Sequence, residues 1–182
     1  MDLTGQLLIA MPGMDDPRFA RSVMFISAYS DEGAMGLVLN RLLAGMTVHD
    51  VLSRLEIEAS GADAPVHIGG PVETERGFVL HMDQTRLASD PLVISGGYVL
   101  SATQDVLKDI GEGDGPAPFL FALGYAGWGA GQLEGELVQN AWLTAPATPD
   151  LVFGVERAAL WDTALRSIGI DPVSLSGASG RA

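Results

Sequence analysis

Between Gly115 and Leu133 the chain runs for 19 residues without a single charge. That is close to the length of a transmembrane helix, about 20 apolar residues. The same stretch holds Pro116, Pro118 and five glycines, and these residues break helices by removing a donor or by freeing the backbone. A membrane helix is therefore not expected. Phe119–Tyr125 reads as a strongly apolar strand. Gly124 to Gly131, with four glycines in eight residues, reads as a glycine-rich turn after it. A chain that places its most apolar segment in a strand must build the rest of its core around a sheet.

The remaining pattern supplies the partners. Gln6–Ala10 and Ser22–Ser30 are apolar runs of strand length, separated by a loop over Met11–Arg18. Asp31-Glu32-Gly33 is a turn leading into a strand over Ala34–Asn40, which predicts a hairpin. Thr47, with Asp50 three residues on, fits a capping box, and Val48, Val51, Leu52 and Leu55 keep helical spacing. Short strands follow at Val66–Ile68, ended by Gly69-Gly70-Pro71, and at Gly77–Met82, with a polar connection over Asp83–Asp90. Leu92–Ser95 and Tyr98–Leu100 flank Gly96-Gly97 as a second hairpin or a bulge. Ser101 to Gln104 fits another capping box, opening a helix through Ile110 that Gly111 closes. The pattern then predicts a turn at Gly113–Pro118, a helix at Gln132–Gln139, strands at Ala141–Leu143 and Leu151–Phe153, and a helix at Glu156–Ile168 capped by Gly169. Strands and helices mix without regular alternation, so the expected class is α+β. The length of 182 residues and the 47% hydrophobic content suit one domain, over 1–173, with a loose tail over 174–182.

Composition excludes several functions. Cysteine is absent, which removes disulfides and every thiolate chemistry. Ten basic residues stand against 23 acidic ones, a net charge of −13, so phosphate backbones and anionic membranes are repelled. Lys108 is the only lysine, and the nine arginines suit carboxylate or phosphate recognition. The first positive side chain is Arg18, so no secretory leader is expected and the protein is placed in the cytoplasm. His49, His67 and His81 lack metal-ligand spacing, and no metal or cofactor is expected. No G-x-S-x-G elbow is present. Glu134 and Glu136 lie two apart on one helix and so do not face each other as an acid–base pair. Gly127-Trp128-Gly129-Ala130-Gly131 is G-x-G-x-G rather than the dinucleotide fingerprint, although such a turn can present N–H groups to a phosphate.

Taken in order, several blocks resemble the AlgH/YqgE family of small bacterial proteins. They are Leu7-Leu8-Ile9-Ala10-Met11-Pro12, Asp16-Pro17-Arg18-Phe19 with Arg21-Ser22-Val23, and Gly33 to Arg41. Gly69-Gly70-Pro71-Val72, Gly77 to His81, and Gly124 to Glu134 with Glu136 and Asn140-Ala141-Trp142-Leu143 continue the series. The resemblance implies an α+β fold in which a branched sheet rolls into a pseudo-barrel with helices packed outside. It implies no established enzymatic activity, and some members carry a transcriptional-regulator label. Two positions depart from the family pattern: Leu42 follows Asn40-Arg41 where proline is usual, and Ala28-Tyr29 stands where Glu-His is frequent.

Polar groups recur at strand ends and around the glycine-rich segment. The candidate binding residues are Asn40, Arg41, Gly69, Gly70 and Pro71, together with Arg76, His81, Trp128, Gln132 and Glu134. No catalytic residue is assigned. The expected function is a non-catalytic cytoplasmic binding or regulatory protein acting through a protein or small-molecule partner. One alternative is a transcriptional regulator that acts indirectly, since direct nucleic-acid contact is disfavoured by charge. The other is a small enzyme or nucleotide-binding protein that uses the glycine-rich turn at 124–131. Trp128 is expected to wall a shallow pocket, with Gln132, Arg76 and His81 near it.

Overall fold

Strand side chains alternate between two faces, and the first strands are apolar on both. In β1 (Gln6–Ala10), Leu7 and Ile9 enter one core while Leu8 and Ala10 enter another. In β2 (Val23–Ser30), Val23 and Phe25 oppose Met24 and Ile26 in the same way. Such strands must be covered on both sides. The computed structural model, which describes residues 1–82 and 90–177, shows how.

Among the described residues, ten strands form one branched sheet. After β1 and β2 come β3 (Gly33–Val38), β4 (Leu42–Thr47), β5 (Pro65–Ile68), β6 (Val72–His81), β7 (Leu92–Ile94), β8 (Tyr98–Ser101), β9 (Phe119–Gly129) and β10 (Trp142–Pro146). The main path is β10-β1-β2-β3-β9-β6-β8-β7, and β4 joins through β5 to β9. All pairings are antiparallel except β5 with β9. The sheet curls into a half-barrel, and the helices α1 (Val48–Arg54), α2 (Gln104–Glu112), α3 (Gln132–Val138), α4 (Leu160–Ser167) and α5 (Pro172–Gly177) complete a single α+β domain.

The branch sits on β9. Its residues Phe121–Leu123 pair with β5, while Ala126–Gly129 pair with β3 along the same edge. Two strands can share one edge only where one leaves and the other enters within a few ångström. Gly69 and Gly70 occupy that crossing. A Cβ on Gly69 would lie 2.2 Å from the Gly124 carbonyl oxygen, and one on Gly70 2.1 Å from the Tyr125 carbonyl carbon. Gly124 itself has φ +74°, a conformation that favours glycine. The glycine pair thus admits another stretch of backbone.

Three apolar clusters result. Tyr98, Phe25 and Leu80 pack with Leu160, Trp161 and Leu165 of α4. Trp128, Trp142 and Leu133 of α3 pack with Met24 and Ile26. Val48 and Leu52 of α1 and Val106, Leu107 and Ile110 of α2 cover Val66, Val79 and Phe121.

Several expectations change. The segment 124–131 is a turn only at its end, Ala130-Gly131, because β9 runs through Gly129 and Gly33 pairs with Gly129. The strand's alternation shows in its burial: Ala126 and Trp128 are buried while Gly127 and Gly129 are exposed. Leu151–Phe153 is not a strand but part of a π-helical turn, Asp150–Gly154, in which the Val155 N–H reaches the Asp150 carbonyl. A run that short does not distinguish strand from helix. The capping box at Ser101 does not form, because Ser101 is buried at the end of β8 opposite Val79. Thr103 is the N-cap, without a side-chain capping bond. That helix continues past Gly111, where a Cβ would lie only 2.6 Å from the Glu58 carbonyl oxygen, and ends at Gly113 with φ +82°. By contrast the Thr47–Asp50 box forms as expected. The connection expected over Asp83–Asp90 lies, except for Asp90, outside the described residues. Helix α5 includes the first residues of the segment read as a tail, and residues 178–182 lie outside the described ones.

Candidate functional site

The loop from Met11 to Ser22 has two prolines and paired aspartates, and little in it favours regular structure. Residues at the end of β3 hold it. Asn40 accepts the Val23 N–H at 2.9 Å through Oδ1 and donates to the Arg21 carbonyl at 2.9 Å through Nδ2. Arg41 donates to the carbonyls of Pro17 at 2.9 Å and Ala20 at 3.2 Å. Arg18 forks onto Asp16 at 2.7 Å, and this donation holds the Asp16 carboxyl below the usual carboxylate range. So fixed, the loop directs Phe19 edge-on to Trp142, with ring centroids 6.1 Å apart.

Across from the loop stand the end of β9 and helix α3. Trp128 and Trp142 meet edge to face at 6.2 Å. Both indole N–H groups donate to one oxygen of Glu136, at 3.0 Å from Trp128 and 2.7 Å from Trp142. The other Glu136 oxygen accepts from Gln132 Nε2 at 3.1 Å, and Gln132 Oε1 accepts the Gly129 N–H at 3.0 Å. Gln132 and Glu136 are four apart on α3 and so share a face. The loop, β9, α3 and the Pro71-Val72 corner enclose a cleft of about 490 Å³. Its walls are aromatic, its floor carboxylate is bonded on both oxygens, and its rim carries the Asp16–Arg18 pair.

The structure gathers some of the candidate residues here and disperses others. Trp128, Gln132 and Pro71 line the cleft. Asn40 and Arg41 anchor its wall, and Gly69 and Gly70 serve the sheet branch. Glu134 turns away: it accepts the Tyr29 hydroxyl at 2.5 Å, which lowers its own titration range and raises that of Tyr29. Arg76 pairs with Glu73 at 3.4 Å and lies over Phe78 on another surface. His81 is fully buried at the end of β6, opposite Val99 and Phe119. A cleft lies beside Trp128 and Gln132, but Arg76 and His81 do not line it: Arg76 sits in the irregular stretch of β6 between Val72 and Gly77, and His81 at the strand's far end. Within the segment 124–131, where a phosphate cradle was one expectation, Ala126–Gly129 pairs with β3 and the Gly129 N–H is taken by Gln132. The sequence reading missed Glu136, Trp142, Phe19 and Arg18. The spacing of Gln132 and Glu136 was the available signal.

Elsewhere, His67 is buried, with Nδ1 3.1 Å from the Phe121 carbonyl oxygen, and burial pushes its titration down to about 4. Among the described residues no group of three or more His, Asp or Glu side chains could hold a metal ion. Among them, too, no helix is long and apolar enough to cross a membrane.

Comparison with known proteins agrees with this architecture. The chain is 51% identical over its whole length to a UPF0301 protein of Ruegeria pomeroyi, all of which it covers. It is 49% identical to a UPF0301 protein of Paracoccus denitrificans, covering 97% of that protein. The solution structure of the AlgH protein from Pseudomonas aeruginosa superposes with a TM-score of 0.80 at 40% identity, over 100% of this chain and 95% of that one. A Corynebacterium diphtheriae protein shares the fold, with a TM-score of 0.70 at 21% identity, over 97% of this chain and 91% of that one. The family model described as AlgH-like matches residues 7–173, so the chain belongs to the AlgH-like family.

Proposed function

We propose that the protein is a non-catalytic cytoplasmic binding or regulatory protein whose partner, a protein segment or a small molecule, docks in the aromatic cleft. The observation that carries this reading is the hydrogen bonding of Glu136. A general acid or base must face its substrate with a free proton site. Here one carboxylate oxygen takes two indoles and the other takes Gln132, so the charge serves to fix Trp128 and Trp142 in place. Rigid aromatic walls lower the ordering cost of binding, and Trp and Arg are the residue types most enriched where interfaces gain their energy. With a net charge of −13, regulation of gene expression would run through a protein partner rather than through DNA.

The test is affinity capture of the tagged protein from its own cell lysate, with proteins and small molecules identified in the eluate. Two rim variants, Arg18→Glu and Val72→Asp, are compared with Lys108→Glu, which lies on α2 away from the cleft. A partner retained by wild type and Lys108→Glu but lost from both rim variants supports the reading. Identical eluates from all four proteins would refute it.

A further inference from the structure

A second cavity, of about 440 Å³, lies between the sheet and helices α1 and α2. Its walls are apolar, with Val79 and Phe121 from the sheet and Leu107 from α2. One end is different. There the N-terminus of the nine-residue α2 opens into the cavity, with Ser101, Thr103 and Gln104 in the lining. The first turn of any helix presents N–H donors without intrahelical partners and the positive end of the helix dipole. Side chains usually cap them, yet the N-cap Thr103 makes no such bond. Its hydroxyl is buried without a partner.

Ser101 supplies the independent observation. It is completely buried, it lines the cavity, and its hydroxyl has no hydrogen-bond partner. Buried hydroxyls are rarely left so, because desolvation without a partner is costly. Arg54, at the end of α1, also lines the cavity and forms no ion pair among the described residues. The charged neighbours of opposite sign are Glu75 at the rim and Asp105 in the first turn of α2, both exposed. Two hydroxyl donors, a helix N-terminus and a guanidinium match an anionic oxygen pair, while the apolar walls match a hydrocarbon body.

We propose that this cavity binds a small carboxylic acid with an apolar body, its carboxylate seated at the N-terminus of α2 between Ser101 and Thr103. The body lies against Val79, Leu107 and Phe121. This site is independent of the aromatic cleft.

The experiment is an NMR titration of the full chain with sodium octanoate, octan-1-ol and inorganic phosphate, following the backbone amides of 101–105 and the indoles of the cleft. Octanoate should shift the 101–105 amides saturably below ~10 mM. It should bind at least about tenfold more tightly than octanol, which lacks the charge-assisted bonds, and more tightly than phosphate, which lacks the body. Ser101→Ala should melt no lower than wild type without ligand, having lost only an unpartnered hydroxyl, and should bind octanoate several-fold more weakly. Arg54→Gln should do the same while leaving octanol unchanged. No saturable shift at 101–105, equal binding of octanol, equal binding of phosphate, or undiminished binding by Ser101→Ala would each overturn the proposal. Octanoate perturbing only the cleft indoles would overturn it while leaving the cleft reading intact.

Discussion

The smallest unit on which the cleft depends is the Glu136 carboxylate. Replacing it with alanine leaves two indole N–H groups and the Gln132 amide without their acceptor. Glu136→Ala should cost about 2–4 kcal/mol in urea unfolding, and the loss should be strongly non-additive with Trp142→Phe, since both delete the same bond. Its importance was hidden in the sequence, because a carboxylate two residues from another on a helix reads as an exposed charge, and nothing local reveals that Trp142 arrives from the far edge of the sheet. His67 was equally opaque as one of three scattered histidines. Its imidazole titrates near 6.5 when unfolded and near 4 when folded, burial being the main cause. Between those values the unfolded chain binds more protons. Full stability is therefore present above about pH 6.5 and is lost as the pH falls towards 4, by about 3 kcal/mol. Urea titrations at several pH values should show this loss in the wild type and a shallower one in His67→Gln.

At the level of elements, glycine carries two meanings that composition does not separate. Gly70 lies where β5 leaves the edge of β9, and an added methyl would sit 2.1–2.4 Å from the backbone of Tyr125 and Ala126. Gly129 lies in β9 with nothing within 4 Å of such a methyl. Gly70→Ala should cost 3 kcal/mol or more by overpacking against an immovable backbone, on the order of the largest values for such changes. Gly129→Ala should change stability by less than ~0.5 kcal/mol. Melting curves of the two variants decide the point. The first hairpin, the Thr47 cap and the β7–β8 hairpin were legible because turn and cap chemistry is local. The length of β9 was not, since its glycines mimic a turn and only the burial of Ala126 and Trp128 shows the two-residue period. Strand β4 went unread because, among the described residues, it is an edge strand that pairs only with β5, and none of its residues is buried.

For the molecule as a whole, charge is the dominant surface property. With 23 acidic against 10 basic residues, the protein should show no duplex-DNA shift in gels at about 150 mM salt. A sub-micromolar complex with a steep salt slope would contradict this. The chain resembles the AlgH/YqgE family along nearly its full length, so the branched sheet could be anticipated, whereas of the cleft only the wall at Trp128 and Gln132 could, as its other walls come from residues as far apart as 14 and 142. The branch also bears on the order in which the protein can be made. Strands β3, β5 and β6 all pair with β9, which begins at Phe119, and β1 waits for β10, which begins at Trp142. As the polypeptide leaves the ribosome, its first hundred residues carry three strand edges whose common partner has not yet been synthesised. Such edges invite pairing with other chains. Completion of the sheet thus waits for β9 and β10, and a nascent chain that has not reached them exposes the edges that a chaperone would have to cover.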